Sequence, residues 1–222
     1  MLAGQDSCNF HVGISAVNVC STDILPATII SALVFYAICF SVLKSCSYWN
    51  SDTIDAIVEC GSAFFINTIK CQCSSVLPQN INICGANIDV KFVTSSKGNL
   101  VCTSSHSKLG LERLILQIET TNTGFLFYFS NHCYGCIFHK TSRSTTFFVI
   151  VMDKSQRFEI VRTSNTNSLV QTICDSMTNN FNSNETEYLI QGLLCTDVRK
   201  VMQKNKRYLN ATNPLSRKCK SQ

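Results

Sequence analysis

Cys20 is the residue of this sequence best placed to act as a nucleophile. It precedes a long apolar run, residues 24–43, and the intervening Ser21, Thr22 and Asp23 are suitable N-cap residues for a helix. A thiol at the N-terminus of a buried helix ionises more readily, because the helix dipole and free backbone N–H groups stabilise the thiolate. Buried structural cysteines are commoner than catalytic ones, and acyl transfer also needs a base and an oxyanion donor. The rest of the site must therefore be found elsewhere in the chain.

Zinc binding is the rival use of the 14 cysteines. Residues 133–136 form a C-x-x-C flanked by histidines at positions 132 and 139, and residues 71–73 offer a C-x-C. This spacing departs from that of zinc ribbons, and Cys133 and Cys136 would face opposite sides of a strand. No glycine motif for phosphate binding is present. We therefore expect neither a metal nor another cofactor.

The uncharged run at residues 24–43 has the length of a membrane span. Pro26, three hydroxyl side chains and the absence of a basic residue before Lys44 argue against a span or a signal peptide. A helix buried on all sides within a protein has the same composition. We predict a buried core helix, with a single membrane span as the alternative.

The apolar spacing of the remaining chain predicts an α+β fold, since helices come first and a meandering antiparallel sheet follows. Helices are expected at residues 51–61, 107–119, 169–177 and 188–194. Strands are expected at residues 81–83, 88–92, 100–102, 125–129, 134–139, 146–152 and 158–161, with a turn at residues 97–99.

The net charge of +5 arises from the C-terminal end of the chain. Eight of the 19 cations follow the last acid, Asp197, so residues 1–198 carry 11 cations against 14 acids. We predict one domain, residues 1–198, and a flexible basic tail, residues 199–222. A nucleic-acid partner is not expected, because the domain itself is acidic.

Several short stretches resemble the papain-like ubiquitin-specific protease domain found at the start of herpesvirus large tegument proteins. They are residues 3–6 (AGQD), 13–21 (GISAVNVCS), 49–61 (WNSDTIDAIVECG), and the paired segments 136–139 (CIFH) and 147–153 (FFVIVMD). The resemblance runs in order over about residues 3–175. It implies a papain-like fold with a buried central helix against the sheet.

The resemblance also implies roles for individual residues. Cys20 would be the nucleophile that forms a thioester with ubiquitin, Gln5 the oxyanion donor and Asp153 the partner that orients the base. The family pattern Asp-x-His is replaced here by Asp153-Lys154-Ser155, and no histidine follows His139. Serine cannot serve as a general base near neutral pH. His139, on the neighbouring predicted strand, is the candidate replacement, although a strand end beside a lysine favours a surface position.

Two functions follow from the resemblance. The first is a viral deubiquitinase acting on ubiquitin conjugates, and the second is an inactive relative that binds ubiquitin, ubiquitinated proteins or viral structural proteins. Either would be expected in the host cytoplasm or nucleus and in the virion tegument.

Overall fold

The computed structural model describes residues 27–70, 77–129, 132–152, 158–180 and 187–201. In these ranges the α-helices are α1 (Ala27–Phe40), α2 (Ser51–Phe64), α3 (Ser105–Glu119) and α4 (Thr166–Asn180). The strands are β1 (Asn80–Ile83), β2 (Ala86–Asn99), β3 (Gly124–Phe129), β4 (His132–Lys140), β5 (Thr145–Met152), β6 (Phe158–Thr163) and β7 (Glu187–Asp197). A six-residue π-helical turn, Phe65–Lys70, extends α2.

The seven strands form one antiparallel sheet in the order β1-β2-β7-β3-β4-β5-β6. One buried cluster joins one face of the sheet to α1 and α2, and a second joins the other face to α3 and α4. We refer to these as the α1 face and the α3/α4 face. The architecture is an α+β fold, as expected from the sequence, with helices covering both faces of the sheet.

The central helix α1 is buried on all sides, since every residue from 29 to 39 is buried. Sheet and α2 surround it, which accounts for an apolar run without a polar stripe. The prediction of a buried core helix is confirmed. None of the helices within the described ranges has the length and apolarity needed to cross a membrane.

Two strand glycines allow α1 to approach the sheet closely. A Cβ added at Gly135 of β4 would lie 2.2 Å from Cγ1 of Val34. One added at Gly124 of β3 would lie 2.2 Å from the carbonyl oxygen of Cys136 in β4 and 3.3 Å from Cγ2 of Ile38 in α1. Separations under about 3 Å are not tolerated by close-packed interiors. Glycine in a strand interior here marks a close backbone approach and not a bulge.

Three local predictions are wrong: a helix at residues 188–194, a turn at residues 97–99 and a strand at residues 100–102. Residues 188–194 are strand instead of helix, because β7 lies between β2 and β3 with both of its faces covered. A doubly covered strand is nearly continuously apolar and loses the period-two signal.

The expected turn at residues 97–99 is also absent, since β2 continues to Asn99. Gly98 instead lies under Tyr188, whose Oη would be 2.6 Å from an added Cβ. Residues 100–102 form a loop ahead of α3 and not a strand.

The other predicted elements are present with their ends shifted by three residues or fewer, except the strand expected at residues 88–92, since β2 ends seven residues later than expected. The helices expected from residue 51, residue 107 and residue 169 are α2, α3 and α4. The Asn50 side chain caps α2 by accepting a hydrogen bond of 3.0 Å from the backbone N–H of Thr53. At the C-terminus of α3, Lys140 of β4 donates hydrogen bonds to the carbonyl oxygens of Glu119, Thr120 and Asn122 and so caps the helix.

Gly135→Ala is expected to lower the free energy of unfolding by about 1–3 kcal/mol, because the new methyl group overlaps Val34. Gly110→Ala is the matched control, since nothing lies within 4 Å of its added Cβ. Gly110 is an exposed position within α3, so alanine there should stabilise by about 0.5–1 kcal/mol. Urea denaturation measures both changes.

Val34→Ala tests whether overlap with Val34 causes the loss of stability in Gly135→Ala. In the Gly135→Ala background it removes the atom that clashes, so the double variant should be more stable than the sum of the two single changes predicts. Equal stability of Gly135→Ala and the native protein would contradict the close approach of α1 to β4.

Candidate active site

Three of the four predicted site residues, Gln5, Cys20 and Asp153, lie outside the described residues. Their neighbours in the sequence are described. Ala27, the first residue of α1, follows Cys20 by seven positions, and Met152, the last residue of β5, immediately precedes Asp153. The position of the site is therefore inferred from the direction in which α1 runs and from which ends of β4 and β5 lie near its N-terminus.

The helix α1 runs in the same direction as β4. Near its N-terminus, Ser31 hydrogen-bonds to Tyr128 and Cys133, and three residues later Val34 packs over Gly135. Burial raises the pKa of Cys133 to about 12, and the Ser31 hydrogen bond opposes that shift. The N-terminal end of α1 thus lies at the beginning of β4. We call this side, where β3 ends and β4 begins, the site end of the sheet.

His139 lies near the opposite end of β4. Seven residues separate it from His132, which at about 3.3 Å per residue places it roughly 23 Å away along the strand. Its ring contacts Phe148 edge-on at 6.3 Å between centroids, with an interplanar angle of 82°, on the α1 face. The side chain is half-buried. His139 therefore lies towards the C-terminal end of α1.

His132 lies at the site end but points to the other face of the sheet. It pairs directly with Phe129, which belongs to the buried cluster of the α3/α4 face, and directly paired residues share a face. Its Nδ1 atom is buried, and burial lowers the pKa of the imidazole. Among the histidines the structure describes, which also include His106 on α3, none lies on the α1 face at the site end.

A cleft of about 420 Å³ opens at the site end of the sheet. It is lined by Lys97, Gly98, Asn99, Tyr128, Glu187, Tyr188 and Leu189. Tyr128, the residue bonded to Ser31, connects the cleft to α1. Lys97 and Glu187 are exposed and supply one charge of each sign. The two tyrosines and Leu189 supply apolar surface beside these charges.

The cysteines considered for zinc do not converge in the part of the chain that is described. Cys133 lies in the cluster on the α1 face, whereas Cys136 lies in the cluster on the α3/α4 face. Burial raises the pKa of both thiols. No group of three metal-ligating side chains occurs among the described residues, and Cys71 and Cys73 lie outside them.

Comparison with known proteins gives a likeness of fold. No protein-family model and no curated protein matches the sequence. A solved structure does match: the ubiquitin-specific protease encoded by a murine cytomegalovirus tegument protein, determined in complex with a ubiquitin-based suicide substrate. The TM-score is 0.54 at 12% sequence identity, covering 82% of this chain and 87% of that one. The chain therefore has a fold similar to that of a herpesvirus papain-like deubiquitinase.

Sequence reasoning missed the residues that orient α1. In the sequence, Ser31 is one of three hydroxyl side chains within the apolar run, and Gly135 is the glycine between the two cysteines of the C-x-x-C. The available signal was the glycine itself, because a glycine inside a strand usually marks a bulge or a close backbone approach.

The pKa of His132 predicts part of the pH dependence of stability. Since burial lowers this pKa in the folded protein, the unfolded chain binds the proton at a higher pH, near 6.5. The stability that the neutral imidazole of His132 contributes is present above about pH 6.5 and is lost as the pH falls through that value towards the folded pKa. His132→Gln should therefore lose less stability than the native protein between about pH 7.5 and pH 5.5. Urea unfolding at both pH values checks this, and parallel pH profiles would contradict it.

Proposed function

We propose that this protein is a deubiquitinase-like domain that recognises ubiquitin or ubiquitinated proteins. The observation that carries the proposal is the papain-like fold, shared over 82% of the chain with a viral ubiquitin-specific protease that was solved with a ubiquitin-based substrate. The cleft at the site end, linked to α1 through Tyr128 and Ser31, supports it, because the N-terminus of a helix can activate a cysteine nucleophile.

We further propose that recognition proceeds without efficient hydrolysis. A cysteine protease needs a base that accepts the thiol proton, and imidazole is the side chain suited to this near neutral pH. Ser155 occupies the position where the family has histidine. His132 lies on the other face of the sheet and His139 at its other end. Loss of the base with retention of the fold is the simplest explanation of all three facts.

Active hydrolysis is the second candidate. In that reaction a base takes the Cys20 thiol proton, the thiolate attacks the carbonyl carbon of ubiquitin's C-terminal glycine, and Gln5 stabilises the oxyanion. The C–N bond then breaks and the amine leaves with the proton that the base returns. Water finally hydrolyses the thioester, which releases the ubiquitin carboxylate and the Cys20 thiol. Asp153 would orient whichever base serves the reaction. The position of Cys20, seven residues before α1, favours this candidate.

Ubiquitin's basic C-terminal tail is the segment that we propose enters the cleft. Glu187 would attract its cationic side chains, and Tyr128 and Tyr188 would flank its backbone. In keeping with this partner, we propose a location in the host cell or the virion tegument, with other viral structural proteins as further partners.

We also propose that residues 1–198 form the recognition domain and that residues 199–222 are an appended basic tail. The first residues of that tail contact the domain: Arg199 donates to the carbonyl oxygen of Gly85, and Lys200 Nζ donates to that of Val42 at 2.9 Å.

A ubiquitin probe with an electrophilic C-terminus separates the two candidates. Recognition without hydrolysis predicts that the folded native protein binds ubiquitin in calorimetry but gives less than about a hundredth of the adduct formed by an active deubiquitinase, a loss matching a missing general base. Intact mass measures the adduct. A rapid adduct that Cys20→Ala abolishes would establish hydrolytic competence and overturn the inactive assignment. Absence of both adduct and binding would overturn recognition of ubiquitin.

Charge reversal in the cleft tests where ubiquitin binds. Glu187→Lys should weaken ubiquitin binding by about five-fold or more, since it replaces an attraction with a repulsion of about 1 kcal/mol or more. Arg162→Glu is the matched control, because Arg162 is exposed but borders a separate pocket with Trp49 and Phe148. Equal affinity of Glu187→Lys and native protein would exclude the cleft as the site.

A further inference from the structure

Two buried thiols face each other between the central helix and the sheet. Cys39 lies in the last turn of α1 and Cys195 lies in β7, and their sulfur atoms are 3.9 Å apart. This is about the van der Waals contact distance of two sulfur atoms. The residues are 156 positions apart in sequence, so the pair is a product of the fold.

Of the two cysteines, Cys39 is the one that can move to bring the sulfur atoms together. The backbone of Cys195 is held by Thr123, whose Oγ1 accepts from its N–H at 2.9 Å and donates to its carbonyl oxygen at 3.3 Å. Cys39 is one residue from the end of α1, where the chain passes into a turn. Shortening the sulfur–sulfur separation to the about 2.05 Å of a disulfide thus requires rotation of the Cys39 side chain.

Other thiols lie near the pair but differ in exposure. Tyr36 of α1 interacts with Cys39, Cys60 and Cys84, and it hydrogen-bonds to Cys60. Cys60 and Cys84 are exposed, whereas Cys39 is 0% and Cys195 is 7% exposed. An oxidant from solvent therefore meets the two outer thiols first, and only a small one reaches the inner pair.

We propose that Cys39 and Cys195 form a disulfide under peroxide stress, which links α1 to β7. Cys195, the more accessible of the two, gives up its thiol proton and attacks hydrogen peroxide. The O–O bond breaks, yielding a sulfenic acid, and the released hydroxide takes the proton to become water. Cys39 then attacks the sulfenic sulfur as a thiolate, and the hydroxide it displaces takes the thiol proton of Cys39. Two thiols and one peroxide yield one disulfide and two waters.

This modification would act on the central helix and does not depend on ubiquitin recognition. Burial raises the pKa of Cys39, so its thiolate is scarce and the second step is slow. Once formed, the link closes a loop of more than 150 residues, which restricts the unfolded chain strongly. Oxidised protein should melt roughly 5–15 °C higher than reduced protein.

The experiment uses the full chain in a Cys60→Ser/Cys84→Ser background, which removes the two exposed competitors. Reduced protein is treated with hydrogen peroxide under native conditions, unfolded in the presence of an alkylating reagent and digested. We expect a peptide joining Cys39 to Cys195, a protein lighter by two hydrogens, and a rise in Tm that dithiothreitol reverses.

Cys195→Ala and Cys174→Ala are the paired controls. The first removes one partner and should abolish both the linked peptide and the rise in Tm. The second removes a buried thiol of α4, on the other face of the sheet, and should leave both unchanged. Because the linked peptide is sought in the native sequence as well, the test does not depend on the folding of a variant. Full alkylation of Cys39 and Cys195 after peroxide treatment, or linkage of either one to another cysteine alone, would overturn the proposal.

Discussion

The close packing of α1 against β3 and β4 is the constraint on which the rest of the structure depends. Glycines at positions 124 and 135 remove the side chains that would hold the helix away from the sheet. With α1 seated, residues 29–39 are buried without any polar face, and the helix cannot rotate to expose one. The same packing fixes the direction of the helix, and so it fixes which end of the sheet lies beside its N-terminus.

Much of the fold could be predicted from the sequence because most elements carry their own period. α2, α3 and α4 are covered on one side and keep helical spacing, while β1 and the first half of β2 keep alternation. β7 is covered on both sides and has no alternation to detect. Gly98 was interpreted as a turn because glycine frees the backbone, whereas here it makes room for Tyr188.

The candidate site was less predictable, since it depends on which residues of different strands share an end and a face. The sequence indicates that His132 and His139 flank β4, but seven residues separate them, and an odd spacing on a strand reverses the face. His132 lies at the site end but on the other face, whereas His139 lies on the α1 face but towards the other end. This difference becomes visible only when the direction of α1 is known. Alternation alone did predict that Cys133 and Cys136 face opposite sides, and the buried clusters confirm it.

The described cysteines show how the fold separates packing from reactivity. Burial raises the pKa of Cys46 and Cys133 to about 12, so these thiols stay protonated and behave as small apolar side chains. A reactive thiolate requires the opposite environment, with free N–H groups or a nearby cation. Six of the nine cysteines in the described residues are buried, so most of these thiols serve the core.

The position of β7 governs the order in which the sheet can assemble. Among the described strands, β1 and β2 are hydrogen-bonded to the β3–β6 meander only through β7, which follows all of them in sequence. A chain emerging from the ribosome therefore holds two incomplete sheets, each with an open edge, until residues 187–197 are synthesised. Pairings of such high sequence separation close slowly, because the entropy of the intervening loops is lost before any contact forms. Completion of the sheet consequently follows synthesis of all the other described helices and strands, and the exposed edges are where a nascent chain would meet a chaperone or another copy of itself.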